Sequence, residues 1–343
     1  MKKIIFLLML FLAACTNERS TTTTANNDDA ADAIQYGFDV DLTDNDALDF
    51  EKMRIYPIVA SEDHIANHQA LASYKNLKEA MDIQGFRITE KKPFGRMEDS
   101  DAVNNLTVQN KSQDTIYLMA GDVVKGGNQD RVLAQDMVLP PRTLANVEVF
   151  CVEQGRWDYR SDEAEDLDQE AQRNKKVYAF TGYYNVVSND IRKTVKHEKD
   201  QRKVWAAVGN LTMTNDAESS TGTYTALENS KDYTAERNRY LAYFQDKMED
   251  GDNVIGMVVV SGNEILGTDI FNHPSLFKKQ YDVLLHSYVT DAITNGQEVN
   301  VSERKMNSYV TKMKRDYNKK LNNGKESDVK FRYDGKVVHF SHL

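Results

Sequence analysis

The sequence predicts an α+β fold: a mostly antiparallel β-sheet N-terminal half, with helices packed on it from the central and C-terminal parts. Two observations lead there. From roughly residue 52 to 157, short alternating apolar runs are separated by polar clusters such as "NKSQD", the pattern of strands joined by tight turns. Further on, Phe277, Tyr281, Leu284, Leu285, Tyr288, Val289 and Ala292 recur at helical spacing behind Pro274, which marks the core stripe of a long helix.

The elements follow in chain order. "MRIYPIVAS" reads as a strand, "YKNLKEAMDIQG" as a short helix closed by Gly85, and "FRITEK" as a returning strand. Three further strands are expected at "NLTVQN", "TIYLMAG" and "ANVEVFCVE". Period-two alternation in the last puts Val147, Val149, Cys151 and Glu153 on one face and Phe150 and Val152 on the other. In the centre, "SDEAEDLDQEAQRNKK" reads as a charged helix or an exposed insertion, and "IRKTVKHEKDQRKVWAAVGNL" as helical. "TNDAESSTGTYT", with Gly222, is a loop or lid candidate. The last third adds a helix, "AERNRYLAYFQDKM", two strands, "NVIGMVVVSG" and "NEILGTDIF", and the long helix. A closing hairpin, "VKFRYDGKVVHF", turns at Asp334-Gly335, a favoured two-residue turn.

Composition narrows the function. The 343 residues are 40% apolar and 28% charged, as in an ordinary globular protein. Fifty-three acids against 43 bases leave a net charge of -10, which argues against a nucleic-acid partner, since such proteins usually carry a basic face.

At the N-terminus, Lys2 and Lys3 precede an apolar run, Ile4 to Leu12, that is too short to span a bilayer. The "LAAC" that follows, Leu12 to Cys15, resembles the lipobox of bacterial lipoproteins. The resemblance implies a signal peptide over 1–14, cleavage before Cys15, and lipid (palmitate) on that cysteine. The membrane then becomes a partner through the N-terminal lipid, and the location is the bacterial cell envelope, outside the cytoplasm. Residues 15–50, rich in Thr, Asn and Asp, read as a flexible acidic tether, and 51–343 as a single α+β domain. Asp39, Asp41, Asp44 and Asp46 lack the glycine and distal glutamate of a calcium loop. With Cys15 lipidated, Cys151 is the one remaining cysteine, so no intrachain disulfide is available.

Chemistry concentrates in "GDVVKGGNQDR" (Gly121 to Arg131) and "VFCVEQGRWDYR" (Val149 to Arg160). Gly126 and Gly127 allow positive φ or close backbone approach, and Lys125, Gln129 and Arg131 could join neighbouring backbone N–H groups in holding an anion. The plain alternative is a tight hairpin turn. Gln154, Arg156 and Trp157 supply an amide, a fork-shaped cation and a stacking surface. If the two stretches converge, they form a pocket for a small phosphorylated or carboxylated ligand carrying a flat ring. Glu153 and Asp122 are candidates for an acid/base pair, or for salt bridges to Arg156 and Arg131. Cys151 is a candidate nucleophile or a small hydrophobe in an apolar strand. His64 and His68, four apart, have the spacing of two zinc ligands, but no third ligand is assigned and no metal site is expected. Asp269 and His273 precede a helix and suit capping. No cofactor is indicated.

The stretches "YKNLKEAMDIQGFRITEK", "LMAGDVVKGGNQDR", "VFCVEQGRW" and "GMVVVSGNEILGTDIF" resemble the ARG and rhodanese-phosphatase-superfamily-associated protein domain, a prokaryotic family, from about Met53 onward. Asp122 and Asp130 stand where the family commonly has glutamate and asparagine. The resemblance implies an α+β domain and a contextual link, through ADP-ribosylglycohydrolases, to ADP-ribose-like metabolites. Two functions therefore remain: binding or processing of phosphorylated metabolites, or a non-catalytic envelope module.

Overall fold

The computed structural model describes residues 36–43, 46–90, 104–156, 179–248, 251–319 and 329–343. The chain builds one sheet from its two ends and a barrel from its middle. Strands β1 (Phe38–Val40), β2 (Asp49–Phe50) and β3 (Met53–Ala60) come first. Next are β4 (Phe86–Glu90), β5 (Asn105–Asn110), β6 (Ile116–Leu118), β7 (Asp122–Gly126), β8 (Arg131–Leu133), β9 (Met137–Leu139), β10 (Thr143–Cys151) and β11 (Ala179–Val186). Last are β12 (Val254–Ser261), β13 (Glu264–Ile270), β14 (Lys330–Tyr333) and β15 (Lys336–His342).

The seven-stranded sheet runs β1-β3-β12-β13-β15-β14, with β2 also on β3, and every pairing is antiparallel. Between its halves, β10-β5-β4-β11-β7-β8 close into a six-stranded barrel, while β6 and β9 pair as a separate ribbon. The α+β prediction with antiparallel sheet holds, and the final hairpin turns where expected, with Asp334 at φ 48° and Gly335 at φ 73°.

Helices occupy the sheet faces and the outside of the barrel. They are α1 (Glu62–Asn67), α2 (Leu77–Met81), α3 (Asn189–Lys193), α4 (Gln201–Thr214), α5 (Lys231–Phe244), α6 (Pro274–Asn295) and α7 (Glu303–Asn318). Helix α6 buries Phe277, Leu284 and Tyr288 in one cluster with Met53, Ile55, Met257 and Val259. Helix α7 sets Met306, Val310, Met313 and Tyr317 in the other, with Ile58, Val258 and Val260. Consecutive residues of β12 thus point to opposite apolar layers, which is why its sequence is continuously hydrophobic. In β10, Val147 and Val149 point into the barrel, whereas Phe150, and Val152 just beyond the strand, pack outward with Val204 and Val208 of α4.

Two expectations change. The acidic stretch before residue 50 does not remain a tether throughout: β1 pairs with β3, and Phe38, Val40 and Leu48 are buried. Its sparse apolar residues gain burial against the edge of β3, whose other side pairs with the distant β12. The helix expected across 191–211 is broken. A wide turn, Thr194–Glu198, follows α3, Lys199 adopts a left-handed conformation at φ 48°, and Asp200 caps α4 by accepting from the Arg202 and Lys203 amides at 2.8 and 3.3 Å. Among the described residues no helix is long and apolar enough to cross a membrane. The charged stretch 161–176 lies outside the described residues.

Candidate functional site

The first polar stretch and the described part of the second, residues 149–156, do converge, at one mouth of the barrel. "GDVVKGGNQDR" is the β7–β8 hairpin, with Val124 opposite Arg131. Glycine is required at its tip: Gly126 and Gly127 have φ of 126° and 53°. A Cβ at Gly127 would lie 2.7 Å from Glu90 Oε1 and 2.8 Å from Phe180 Cζ. Close approach here is to the protein's own side chains.

Alternation turns Arg131 and Cys151 inward, above the apolar filling of the barrel. Arg131, 2% exposed, donates to Gln129 Oε1 at 2.8 Å and to the Cys151 thiol, and lies 3.8 Å from Glu90. Arg156 closes the mouth. Its guanidinium reaches Glu153 at 2.7 Å, Asp130 at 3.3 Å and the Gly127 carbonyl at 2.8 Å. Glu153 also accepts from the Asp130 amide at 3.1 Å, and Gln129 donates to the Glu153 carbonyl at 2.7 Å. Burial alone would raise the Glu153 carboxyl pKa, but hydrogen bonds from Arg156, Thr221 and the Asp130 amide outweigh it and hold the group below its ordinary range.

A second polar assembly lies between barrel and sheet. Asp136, in the β8–β9 connection, meets His339 Nδ1 at 2.9 Å, and His339 Nε2 meets Asp269 at 2.9 Å. Asp269 takes a two-pronged contact from Arg192 at 2.7 and 3.0 Å, and the Tyr288 hydroxyl donates to it at 2.6 Å. Asp136 accepts from the Tyr117 hydroxyl at 3.1 Å and the Ala120 amide at 2.8 Å. Phe271 stacks on the imidazole, with centroids 4.5 Å apart. Desolvation would strip His339 of its second proton, but the two carboxylates prevail and raise its pKa. In turn, desolvation raises Asp136, and His339 more than compensates, bringing it to about 2. The result is an alternating row of Asp136, His339, Asp269 and Arg192, which carries no net charge while His339 is protonated.

One family model, ARPP-1, the ARG and Rhodanese-Phosphatase-superfamily-associated Protein domain, matches residues 42–342. The chain belongs to this family. No curated protein and no solved structure matches it.

In this ARPP-1 domain the proposed acid/base pair is not a pair. Asp122 opens β7, four residues from Gly126, so it lies roughly 13 Å down the strand from the barrel mouth. There it accepts from the Met119 amide at 2.8 Å and the Tyr183 hydroxyl at 3.0 Å, and burial pushes its pKa up to about 7. Glu153 instead forms the salt bridge to Arg156, the alternative the sequence left open. Cys151 is buried, free, and raised in pKa chiefly by desolvation, unlike an activated thiol. Lys125 points outward, 5.8 Å from the Tyr184 ring, and Gln154 is exposed. Trp157 and Cys15 lie outside the described residues.

His64 and His68 stack at 4.4 Å, and His64 Nε2 is committed to Asn272 at 3.1 Å. Among the described residues no group of three or more His, Cys, Asp or Glu could hold a metal ion. His273 caps α6, accepting from the Ser275 amide at 3.1 Å, whereas Asp269 belongs to the buried row. Sequence reasoning missed that row because its members are scattered from residue 136 to 339 and share no motif.

Arg156→Ala strands Glu153 and Asp130 without their cation and is expected to cost about 3 kcal/mol in urea unfolding. A loss below about 0.5 kcal/mol, the range of ordinary surface changes, would show that the network does not order the mouth. Asp122 generates a pH effect. Its folded pKa lies above the ordinary 3.8, so the folded protein keeps a proton that the unfolded chain releases, and stability falls as pH rises from about 4 to about 7. Asp291, raised to about 7, acts in the same direction. Asp122→Asn should make that fall shallower in unfolding curves taken across this range; an unchanged slope would contradict the assignment.

Proposed function

We propose that this protein is a lipid-anchored, extracytoplasmic binding module for a small anionic, phosphorylated molecule, and that the barrel mouth is its scaffold, not a catalytic centre. The observation carrying this reading is the internal pairing at the mouth: Glu153 and Asp130 meet Arg156, and Glu90 faces Arg131. A general acid or base works best with a pKa near the operating pH, whereas Glu153 is held low. Asp122 has a suitable pKa but is 1% exposed, at the far end of β7. The anchor rests on Lys2, Lys3, the short apolar run and Cys15, and the family's genomic company makes ADP-ribose the first ligand to try.

In a thermal-shift and calorimetric screen of ADP-ribose and related phosphates, at least one should bind without being consumed, by wild type and Glu153→Gln alike. Turnover abolished in Glu153→Gln would overturn the reading. Cys15→Ala should move the protein from the membrane fraction to the soluble one; unchanged fractionation would remove the anchor.

A further inference from the structure

We propose that the ligand-binding surface is a cleft outside the barrel mouth, over Asp136, and that it takes a phosphate-bearing anion. The inference rests on the binding-module reading and gives that module its site. The cleft measures about 420 Å³ and runs between the β8–β9 connection, the wide turn after α3, and β14. Lys196, Lys199, Lys330 and Arg332 line it, with Asp136 as its one acidic residue. In a chain of net charge -10, four cations around one small cleft are a local reversal of sign, and such a cleft concentrates anions.

The carboxylate at its base does not cancel that surplus. Asp136 is already neutralised from behind by His339, within the row that continues to Asp269 and Arg192. Lys330 contributes field more than contacts, because its ammonium donates to the Tyr317 and Lys319 carbonyls at 2.7 and 2.6 Å. Direct contacts fall to Lys199 and Arg332. Lys199 reaches Glu148 at 3.1 Å, in an exposed pair that an incoming anion can replace at little cost.

The backbone points the same way. The wide turn holds its i→i+5 bond from the Lys199 amide to the Thr194 carbonyl at 3.1 Å, and turns of this type recur at functional sites. Lys199 closes it in the left-handed conformation that glycine or asparagine usually occupies. Holding a lysine there costs conformational strain and brings its side chain to the cleft rim.

The strained lysine also provides a test in which folding and binding separate. Lys199→Gly relieves the backbone while removing the ammonium, so thermal stability should be unchanged or higher. Binding of inorganic pyrophosphate, measured calorimetrically with the detergent-solubilised full chain, should weaken about fivefold. Arg332→Gln should weaken it similarly, and the two together more than tenfold. Pyrophosphate binding unchanged in both variants, or sensitive to Lys125→Gln instead, would overturn the cleft, as would absence of saturable binding. Binding of ADP-ribose with cleft variants unaffected would also sink the cleft and leave the binding-module reading standing. Release of orthophosphate from pyrophosphate would overturn the non-catalytic reading and leave the cleft in place.

Discussion

His339 has one ring nitrogen against Asp136 and the other against Asp269, and these carboxylates belong to different layers. Asp136 hangs from the barrel, in the β8–β9 connection, while Asp269 and His339 are neighbours in the large sheet. Arg192, on the helix that leaves the barrel after β11, completes the row from the opposite side. Removing four charges from water is costly, and their mutual attraction returns it only in good geometry with the remaining polar atoms satisfied. Here Tyr117, Ala120 and Tyr288 supply those extra donors. The row therefore favours one docking of barrel on sheet: a slip along the interface would leave an imidazolium or a carboxylate buried alone.

The same arrangement shapes the surface above it. A carboxylate at the base of a cationic cleft would ordinarily hold the neighbouring lysines and repel an anion. With His339 answering its charge from behind, Asp136 takes up less of the positive field that Lys199 and Arg332 bring to the cleft. At the barrel mouth the logic is reversed. Arg131 and Arg156 are turned toward Glu90, Glu153 and Asp130, and the fork-shaped cations serve to order loops. Both regions are rich in charge; among their described residues, only the cleft lining holds more cations than acids.

Much of the architecture was legible in local patterns. The alternation of β10, the stripe of α6 and the Asp334-Gly335 turn are each written within a few residues and survive in the folded chain. The two polar stretches were also legible as candidates for one site, because a hairpin and its neighbouring strand are close in sequence. Whether their charges would face a ligand or each other was not, since that depends on Glu90, some forty residues away across the barrel. Helix α7 carries only four buried apolar positions in a charged run, so its sequence resembles surface more than core. Strand β1 gains its burial from long-range pairing. The Asp136–His339–Asp269–Arg192 row was illegible for the same reason: an isolated histidine in an apolar strand looks like packing until both carboxylates are placed beside it.

The protonation state of His339 tests this account most directly. Nitrogen-15 NMR of the imidazole across a pH series reads it without depending on any ligand. Both ring nitrogens are expected to keep their protons above the ordinary 6.5, and Asp136→Asn to lower the titration point. An imidazole already neutral at or below 6.5 would contradict it, because the row would then carry an unanswered negative charge beneath the cleft.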